Sequence, residues 1–516
     1  MIHKKTFSIV GVILVALFLS VYRQPVTASH LAPTDGEFTD IHAGLKEAFY
    51  SSTAWGDYDG DGDLDVLITG SRLALVYRND NGTFTDLNAG LTGVNDSSGD
   101  WGDYDNDGDL DILITGESLT GGITKIYRND GGVFADIQIG LPGVRKGSGV
   151  WGDYDHDGRL EIVLSGYAGP EIITRIYRNN GNNSFVDINA HLMAVYESSA
   201  AWGDFDSDGD LDLAMSGVGA DGTDIYRNDG GAFTRLTIMP DGTGVWWGSV
   251  AWGDYDNDGD LDLLMNGYVP GDNPKLYLFR NEGGSFTRIY LGAIGGTYHG
   301  NAAWGDYNND GNLDIAIVGN KSLGYLPYAG IWRNDGNNGF TDITAGLPGL
   351  KDGSITWGDY DNDGRLDIVL VGEVNYPDGI GTIFRNTTAI TNTIPTPPTG
   401  LTASTKGSTA TLSWGEGSDG QTSSTGLTYN LRIGTTPGGI NLLSPMSDPA
   451  SGYRYIPKLG NMNQAREITI HGLMPATTYY WSVQSVDSAF AGSSFASEGS
   501  FETYHYAVFI PVAIRK

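Results

Sequence analysis

Seven times in its 516 residues the chain repeats a short acidic loop around a glycine, first as D-Y-D-G-D-G-D-L-D from Asp57 to Asp65. Ca²⁺ is a hard cation that takes about six to eight oxygens, and a short loop supplies them when side chains at alternate positions turn inward. In the first copy these are Asp57, Asp59, Asp61 and Asp65, with Gly62 at the tight point where a missing Cβ tolerates positive φ. The other copies offer Asp103, Asp105, Asp107 and Asp111; Asp153, Asp155, Asp157 and Glu161; Asp204, Asp206, Asp208 and Asp212; Asp254, Asp256, Asp258 and Asp262; Asp306, Asn308, Asp310 and Asp314; and Asp359, Asp361, Asp363 and Asp367. The seventh loop position is Asp63, Asp109, Asp210 and Asp260 in four copies, but Arg159, Asn312 and Arg365 in the rest. An arginine cannot coordinate a cation, so this position is expected to offer its backbone carbonyl. Asn308 keeps an oxygen and loses a charge, which makes the sixth loop the expected weakest site. Any single loop could equally be a metal-free Asx turn; seven near-identical copies favour about seven Ca²⁺ ions.

The loops need a scaffold, and their surroundings specify it. Position twelve of the first loop is Ile68, not the bidentate glutamate of an EF-hand, and the loop runs into L-D-V-L-I-T-G rather than a helix. Such β-branched, glycine-terminated runs read as buried strands, so each loop is a hairpin turn. A W-G-D precedes every loop, with tryptophans at Trp55, Trp101, Trp151, Trp202, Trp252, Trp304 and Trp357, spaced by 46, 50, 51, 50, 52 and 53 residues. That period marks one supersecondary unit per copy, stabilised by stacking on its neighbours. Each unit parses into four strands, one ending at W-G-D, one following the loop, one ending Y-R-N and one reading F-T-D-I; N-D-G-G-like turns join the last two. The expected fold is all-β, a seven-bladed β-propeller. The last copy stops at Phe384-Arg385-Asn386 without a fourth strand, and Gly36 to Ile41 is a fourth strand without a blade, so the N-terminal strand is expected to close the ring. The tryptophans are expected as wedges between blades, and the Y-R-N arginines as partners of local carboxylates.

This D-x-D-x-D-G-x-x-D loop inside a four-stranded repeat of about fifty residues resembles the FG-GAP/VCBS repeats of integrin-α-like propellers over residues 30–386. The resemblance implies calcium on one propeller face and binding of proteins or sugars by other surfaces, some seven-bladed members being lectins. A Thr/Pro-rich stretch, 387–396, follows and reads as an extended linker. Residues 397–504 then resemble a fibronectin type III domain. The markers are Pro397-Pro398, T-L-S-W ending at Trp414, Y-N-L-R-I-G from Tyr429, and L-M-P-A-T-T-Y ending at Tyr479, which matches a tyrosine corner. Such sandwiches act mostly as spacers.

Residues 1–28 read as a secretory signal, Lys4 and Lys5 preceding an apolar run and V-T-A; an uncleaved anchor is the alternative. Cysteine is absent, so calcium must take the place of disulfides. The net charge of −33 is carried in large part by the loops themselves, and without a basic patch it disfavours nucleic acid and anionic membrane. Residues 505–516, apolar with a basic tip, are either a last strand or a sorting tail, and too short to span a bilayer. A secreted or cell-surface monomer without membrane insertion after signal cleavage is expected.

The first-to-second and third-to-fourth hairpins share one face, which is uniform; the opposite face carries the variable loops, where binding usually resides. Residues five before each repeat tryptophan, Tyr50, Asp96, Lys146, Glu197, Trp247, His299 and Asp352, are expected near the mouth of the central channel. Trp246 and Tyr298 beside them, with the loop tyrosines Tyr167, Tyr268, Tyr325, Tyr328 and Tyr376, suit stacking on sugars or anchoring a partner; packing between blades is the alternative for each ring. Tyr50, Trp246, Trp247, Tyr298 and His299 are the candidate ligand residues. The histidines show no nucleophile–base signature, so a non-enzymatic binder of an extracellular protein or glycan is expected, with a lectin next and a polysaccharide lyase or glycoside hydrolase third. The enzyme would need a basic group in the groove, for which Arg145, Lys146 and His299 are the candidates.

Overall fold

A computed structural model describes residues 37–219, 223–239, 244–322, 324, 326–375 and 378–504. The expected signal, the C-terminal tail, Tyr325 and Tyr376 lie outside the described residues. Every regular element among those described is a β-strand.

Each repeat folds locally as its hydrophobic pattern dictates. In the first, Ser52–Gly56, Asp65–Gly70, Leu73–Asp80 and Thr83–Asp86 pair antiparallel in sequence order. The second strand is buried along nearly its whole length in the units that follow this plan, which is why it reads as a continuous β-branched run instead of an alternating one. Six further four-stranded units follow, two of them joined into a nine-stranded sheet where Val144 pairs with Ile123. The last unit, Lys351–Gly358, Asp367–Asn375 and Asp378–Asn386, takes its fourth strand from Phe38–Asp40, with Phe38 opposite Asn386 and Asp40 opposite Phe384.

No sheet closes on itself; what closes is the order of contacts between units. The glycine after each repeat tryptophan lies so near the next unit's tryptophan that an added Cβ would meet its ring at 2.4–2.8 Å, from Gly56 against Trp101 round to Gly358 against Trp55. Only glycine fits there. The Y-R-N asparagine straps the same neighbours: Asn79 Nδ2 donates to Leu64 O and to Tyr360 O of the preceding unit, and Asn129, Asn179, Asn228, Asn281, Asn334 and Asn386 repeat the bond around the cycle. Trp101 and Trp252 also donate their indole N–H to carbonyls of the preceding unit, Ala54 O and Ala201 O. The arrangement is propeller-like.

The C-terminal region forms two three-stranded sheets, Thr402–Lys406, Thr409–Ser413 and Glu467–Ile470 on one side and Thr428–Gly434, Thr478–Val486 and Gly499–Glu502 on the other. They enclose a core of Trp414, Tyr429, Leu431, Tyr479 and Trp481. At the expected corner the Tyr479 hydroxyl accepts from Met474 N at 2.9 Å.

This sandwich is not a spacer on a free tether. Residues 387–396 carry no strand, but Asn392 N donates to Gly364 O, Asn309 Nδ2 to Ile390 O and Thr393 N to the Gln421 carboxamide oxygen, which pins the stretch across the repeats. The long excursion between Gly434 and Glu467 then sits over the acidic-loop end of the channel. Tyr455 O accepts from Asp57 N, Lys458 pairs with Asp100, and Ile456 is buried in a core cluster with Tyr58 and Trp101. Each of these contacts involves residues hundreds of positions apart, so no local signal announces them. Ile456→Ala removes a buried side chain at this junction and is expected to cost roughly 2–4 kcal/mol, read as earlier urea unfolding of the sandwich strands by hydrogen exchange; unchanged protection there would show that docking is marginal.

Candidate metal centres and the loop-face funnel

The acidic loops are built identically. The ninth-position carboxylate opens the second strand and is wholly buried in all seven copies, as Asp65, Asp111, Glu161, Asp212, Asp262, Asp314 and Asp367. In the first copy it accepts from Tyr58 N through Oδ2 and from Asn79 N through Oδ1. The first-position carboxylate Asp57 caps the turn, accepting from Gly60, Asp61 and Gly62 N–H groups at 2.8–3.2 Å. Gly62 has φ +94°, as the turn demands. The seventh-position side chain points elsewhere: Asp63, Asp109, Asp210 and Asp260 accept from N–H groups of the third-to-fourth hairpin, at Asn81, Gly131, Gly230 and Gly283. Arg159 and Arg365 turn back on Asp157 and Asp363. These bonds draw the six side chains away from the loop centre, in keeping with a backbone carbonyl as the seventh-position ligand.

Among the described residues at least five groups of three acidic side chains bring one oxygen each within 4.8 Å of one another, including Asp57 with Asp59 and Asp61, Asp153 with Asp155 and Glu161, and Asp254 with Asp256 and Asp262. Burial, with the charges of neighbouring carboxylates, pushes these carboxyls up, Asp57 and Asp306 to about 6, Asp103, Asp204, Asp254 and Asp359 to about 7, Asp212 to about 8, and Asp65, Asp111 and Asp262 to about 9. Asp155 Oδ1, Asp206 Oδ1, Asp361 Oδ1 and Asp363 Oδ1 are buried without any hydrogen-bond partner. An all-oxygen donor set with partnerless buried carboxylate oxygens fits a hard divalent cation. The Y-R-N arginines supply part of the missing charge: Arg78 reaches Asp59 and Asp61, Arg178 reaches Asp155 and Asp157, and Arg385 reaches Asp361 and Asp363, at 2.8–3.3 Å. The sandwich also touches the loops directly, Gln464 Nε2 donating to Asp254 Oδ2 and Ser488 Oγ to Asp306 Oδ2.

At the opposite end of the channel the seven residues preceding the tryptophans by five line one funnel of about 340 Å³. All seven have left-handed backbones, φ 45–55°, and in four units the first strand carries a register shift there, as between Trp246 and Ser249. Such a bulge re-aims a side chain out of the pleat. Backbone bonds tie neighbouring positions together, Tyr50 N to Asp352 O, Glu197 N to Lys146 O and His299 N to Trp247 O at 2.5–2.7 Å. The wall is divided by chemistry: Trp247 and His299 stack at 5.2 Å, with Tyr50 edge-on to His299 at 5.8 Å, while Lys146 Nζ meets Glu197 Oε1 at 2.5 Å.

Two expectations for the ligand residues do not hold. Tyr298 is only 3% exposed, its hydroxyl donating to Ser322 O and its ring packed on Trp247 and Tyr268. Trp246 lies outside the funnel lining and packs edge-on to Trp247. Trp247 itself is covered on both faces by Tyr268 and His299, which leaves Tyr50, 44% exposed, as the open ring of the funnel. Tyr328 is likewise packed, under the Lys321 ammonium and bonded to Trp332 Nε1, and Tyr167 lies between Tyr196 and Arg145. The strapping asparagines carry no charge or metal chemistry to single them out in the sequence; the signal available was that an asparagine follows the arginine in all seven repeats.

Four stretches, residues 57–114, 153–215, 204–265 and 324–370, match the FG-GAP-like repeat. The chain is therefore a β-rich protein in which these stretches match the FG-GAP-like repeat. Among solved structures it resembles an Agrocybe aegerita lectin described as recognising non-reducing terminal N-acetylglucosamine, at 19% identity and TM-score 0.39 over 58% of this chain and 81% of that one. It also resembles the extracellular domain of a candidate one-component system from B. thetaiotaomicron, at 10% identity and TM-score 0.39, over 92% of this chain and 58% of the other. No curated protein matches the chain. No helix among the described residues is long and apolar enough to cross a membrane.

Proposed function

We propose that the protein is a secreted, monomeric, calcium-loaded seven-bladed propeller, capped on its calcium face by a fibronectin type III-like sandwich, which binds an extracellular protein or glycan through the funnel of its opposite face. The observation that carries this reading is the division of labour between the two ends of the channel. One end holds seven near-identical acidic loops under the sandwich; the other gathers seven chemically different side chains at equivalent left-handed positions around one funnel.

An array of glycans and matrix proteins, probed with and without chelator, tests the reading. Tyr50→Ala is expected to weaken any ligand found by about tenfold or more with calcium content and melting unchanged; Tyr298→Ala is expected to cost stability instead. Binding retained by Tyr50→Ala and lost on deleting the sandwich would move the site to the other domain. A lectin is the second reading, favoured by the open Tyr50 ring beside carboxylates. An enzyme is disfavoured by the state of its basic candidates: Lys146 is paired with Glu197, Arg145 lies over the Tyr167 ring, and burial pushes His299 down to about 4.

The seven sites should not be equal. In the sixth loop Asn308 Nδ2 donates to Asp310 and its carbonyl oxygen accepts from Asp310 N, so the amide is occupied inside the loop as well as uncharged. Calcium titration followed by anomalous scattering is expected to fill this site last; filling first would overturn the charge argument.

A further inference from the structure

The funnel carries a charge imbalance that its own residues do not resolve. Its lining holds three carboxylates, Asp96, Glu197 and Asp352, against one ammonium, Lys146, and that ammonium is committed to Glu197 at 2.5 Å. His299, pushed down to about 4 by burial and by Lys146, is neutral and adds no charge. Asp352 is 6% exposed, and its Oδ1 is buried with no hydrogen-bond partner; of the cationic groups near it, Lys351 is paired with Glu373 at 2.6 Å and His299 Nδ1 stands 3.8 Å away. Asp96, which feels Lys146 and Arg145 but also Glu117, faces Asp352 closely enough for the two charges to repel, and Glu373 adds to the repulsion at Asp352. A carboxylate kept in such a place is costly unless a cation joins it.

The remaining surfaces say what should carry the cation. Tyr50 presents an open ring at the mouth, suited both to a cation and to the flat face of a pyranose. Below it the wall is mostly serine, threonine, glycine and asparagine, with Val250 and Ala302 as its small apolar side chains, a lining that suits the hydroxyls of a sugar better than the four-carbon stem of a lysine. A volume of about 340 Å³ takes a ring of that size.

From this geometry we infer that the funnel is a subsite for an ammonium-bearing sugar, an unacetylated amino sugar whose nitrogen sits between Asp96 and Asp352 while its ring lies on Tyr50. The inference rests on the glycan form of the function proposed above and names the group that the site selects.

The test is titration calorimetry of the full calcium-loaded chain with glucosamine tetramer, its fully N-acetylated counterpart, and a lysine tripeptide. The glucosamine tetramer is expected to bind at least about tenfold more tightly than the acetylated one, with an affinity that falls as salt rises. Asp96→Asn with Asp352→Asn should abolish that preference while calcium content and melting stay constant, since both changes are isosteric. Equal binding of the two tetramers would overturn the cation subsite and leave a glycan-binding funnel standing. Binding of the lysine peptide alone would overturn the sugar and with it the glycan reading. Absence of binding by all three probes overturns the inference, and the array then decides separately whether the face binds anything else.

Discussion

Removing calcium is expected to lower the melting temperature by about 10 °C or more. A ligand present at a hundred times its dissociation constant stabilises the folded state by about 2.7 kcal/mol per site, and the chain has seven candidate sites and no disulfide to fall back on. The loss should also be cooperative, because the loops do not act alone. Asn362 Nδ2 donates to Gly62 O of the neighbouring loop, Asn106 Nδ2 to Gly158 O, Asn257 Nδ2 to Gly311 O and Asn309 Nδ2 to Gly364 O, so four of the turns lean on the next. The sandwich rests on the same turns through Gln464 and Ser488. Scanning calorimetry before and after chelation, with metal content measured, checks this; an unchanged melt after confirmed metal loss would sink the calcium assignment.

The second large effect is an inversion of pH dependence. In the metal-free protein burial raises ten of the first- and ninth-position carboxyls, all aspartates, from the unfolded value near 3.8 to values of about 6 to about 9, and raises Asp153, Glu161, Asp314 and Asp367 as well. The folded state thus binds these protons more tightly than the unfolded chain does. Their contribution to stability is most favourable below about 4 and is lost progressively as pH rises through the folded values, each group costing about 1.4 kcal/mol for every pH unit climbed between its unfolded and folded pKa. Metal-free protein is therefore expected to melt higher at pH 5 than at pH 9. Calcium requires the same groups ionised and removes the penalty, so the loaded protein should melt higher at pH 8 than at pH 5. Thermal scans of dialysed metal-free and calcium-loaded samples across pH 5–9 decide it; a metal-free protein that gains stability toward pH 9 would contradict burial as the cause of the raised values.

Much of the architecture was legible because its determinants are local and repeated. A carboxylate at alternate positions around Gly62, and a β-branched run directly after it, specify turn and strand within a dozen residues. The missing fourth strand at one end and the spare strand at the other announced the pairing of Phe38–Asp40 with the last unit. Tyr298 shows where this stops: an aromatic next to a variable position reads the same whether its ring faces solvent or, as here, packs under Trp247.

By itself the sequence determined the number of units, the oxygen-only chemistry of their loops and the order in which the ring closes, since each depends on residues a few positions apart or on a count. Only the tertiary structure decided that Ile456 and Lys458 cap the acidic-loop end of the channel. It alone paired Lys146 with Glu197 and left Asp352 Oδ1 buried without a hydrogen-bond partner. Those outcomes depend on which side chains a ring of left-handed positions sets against one another, and burial and charge act there between residues that are neighbours only in space.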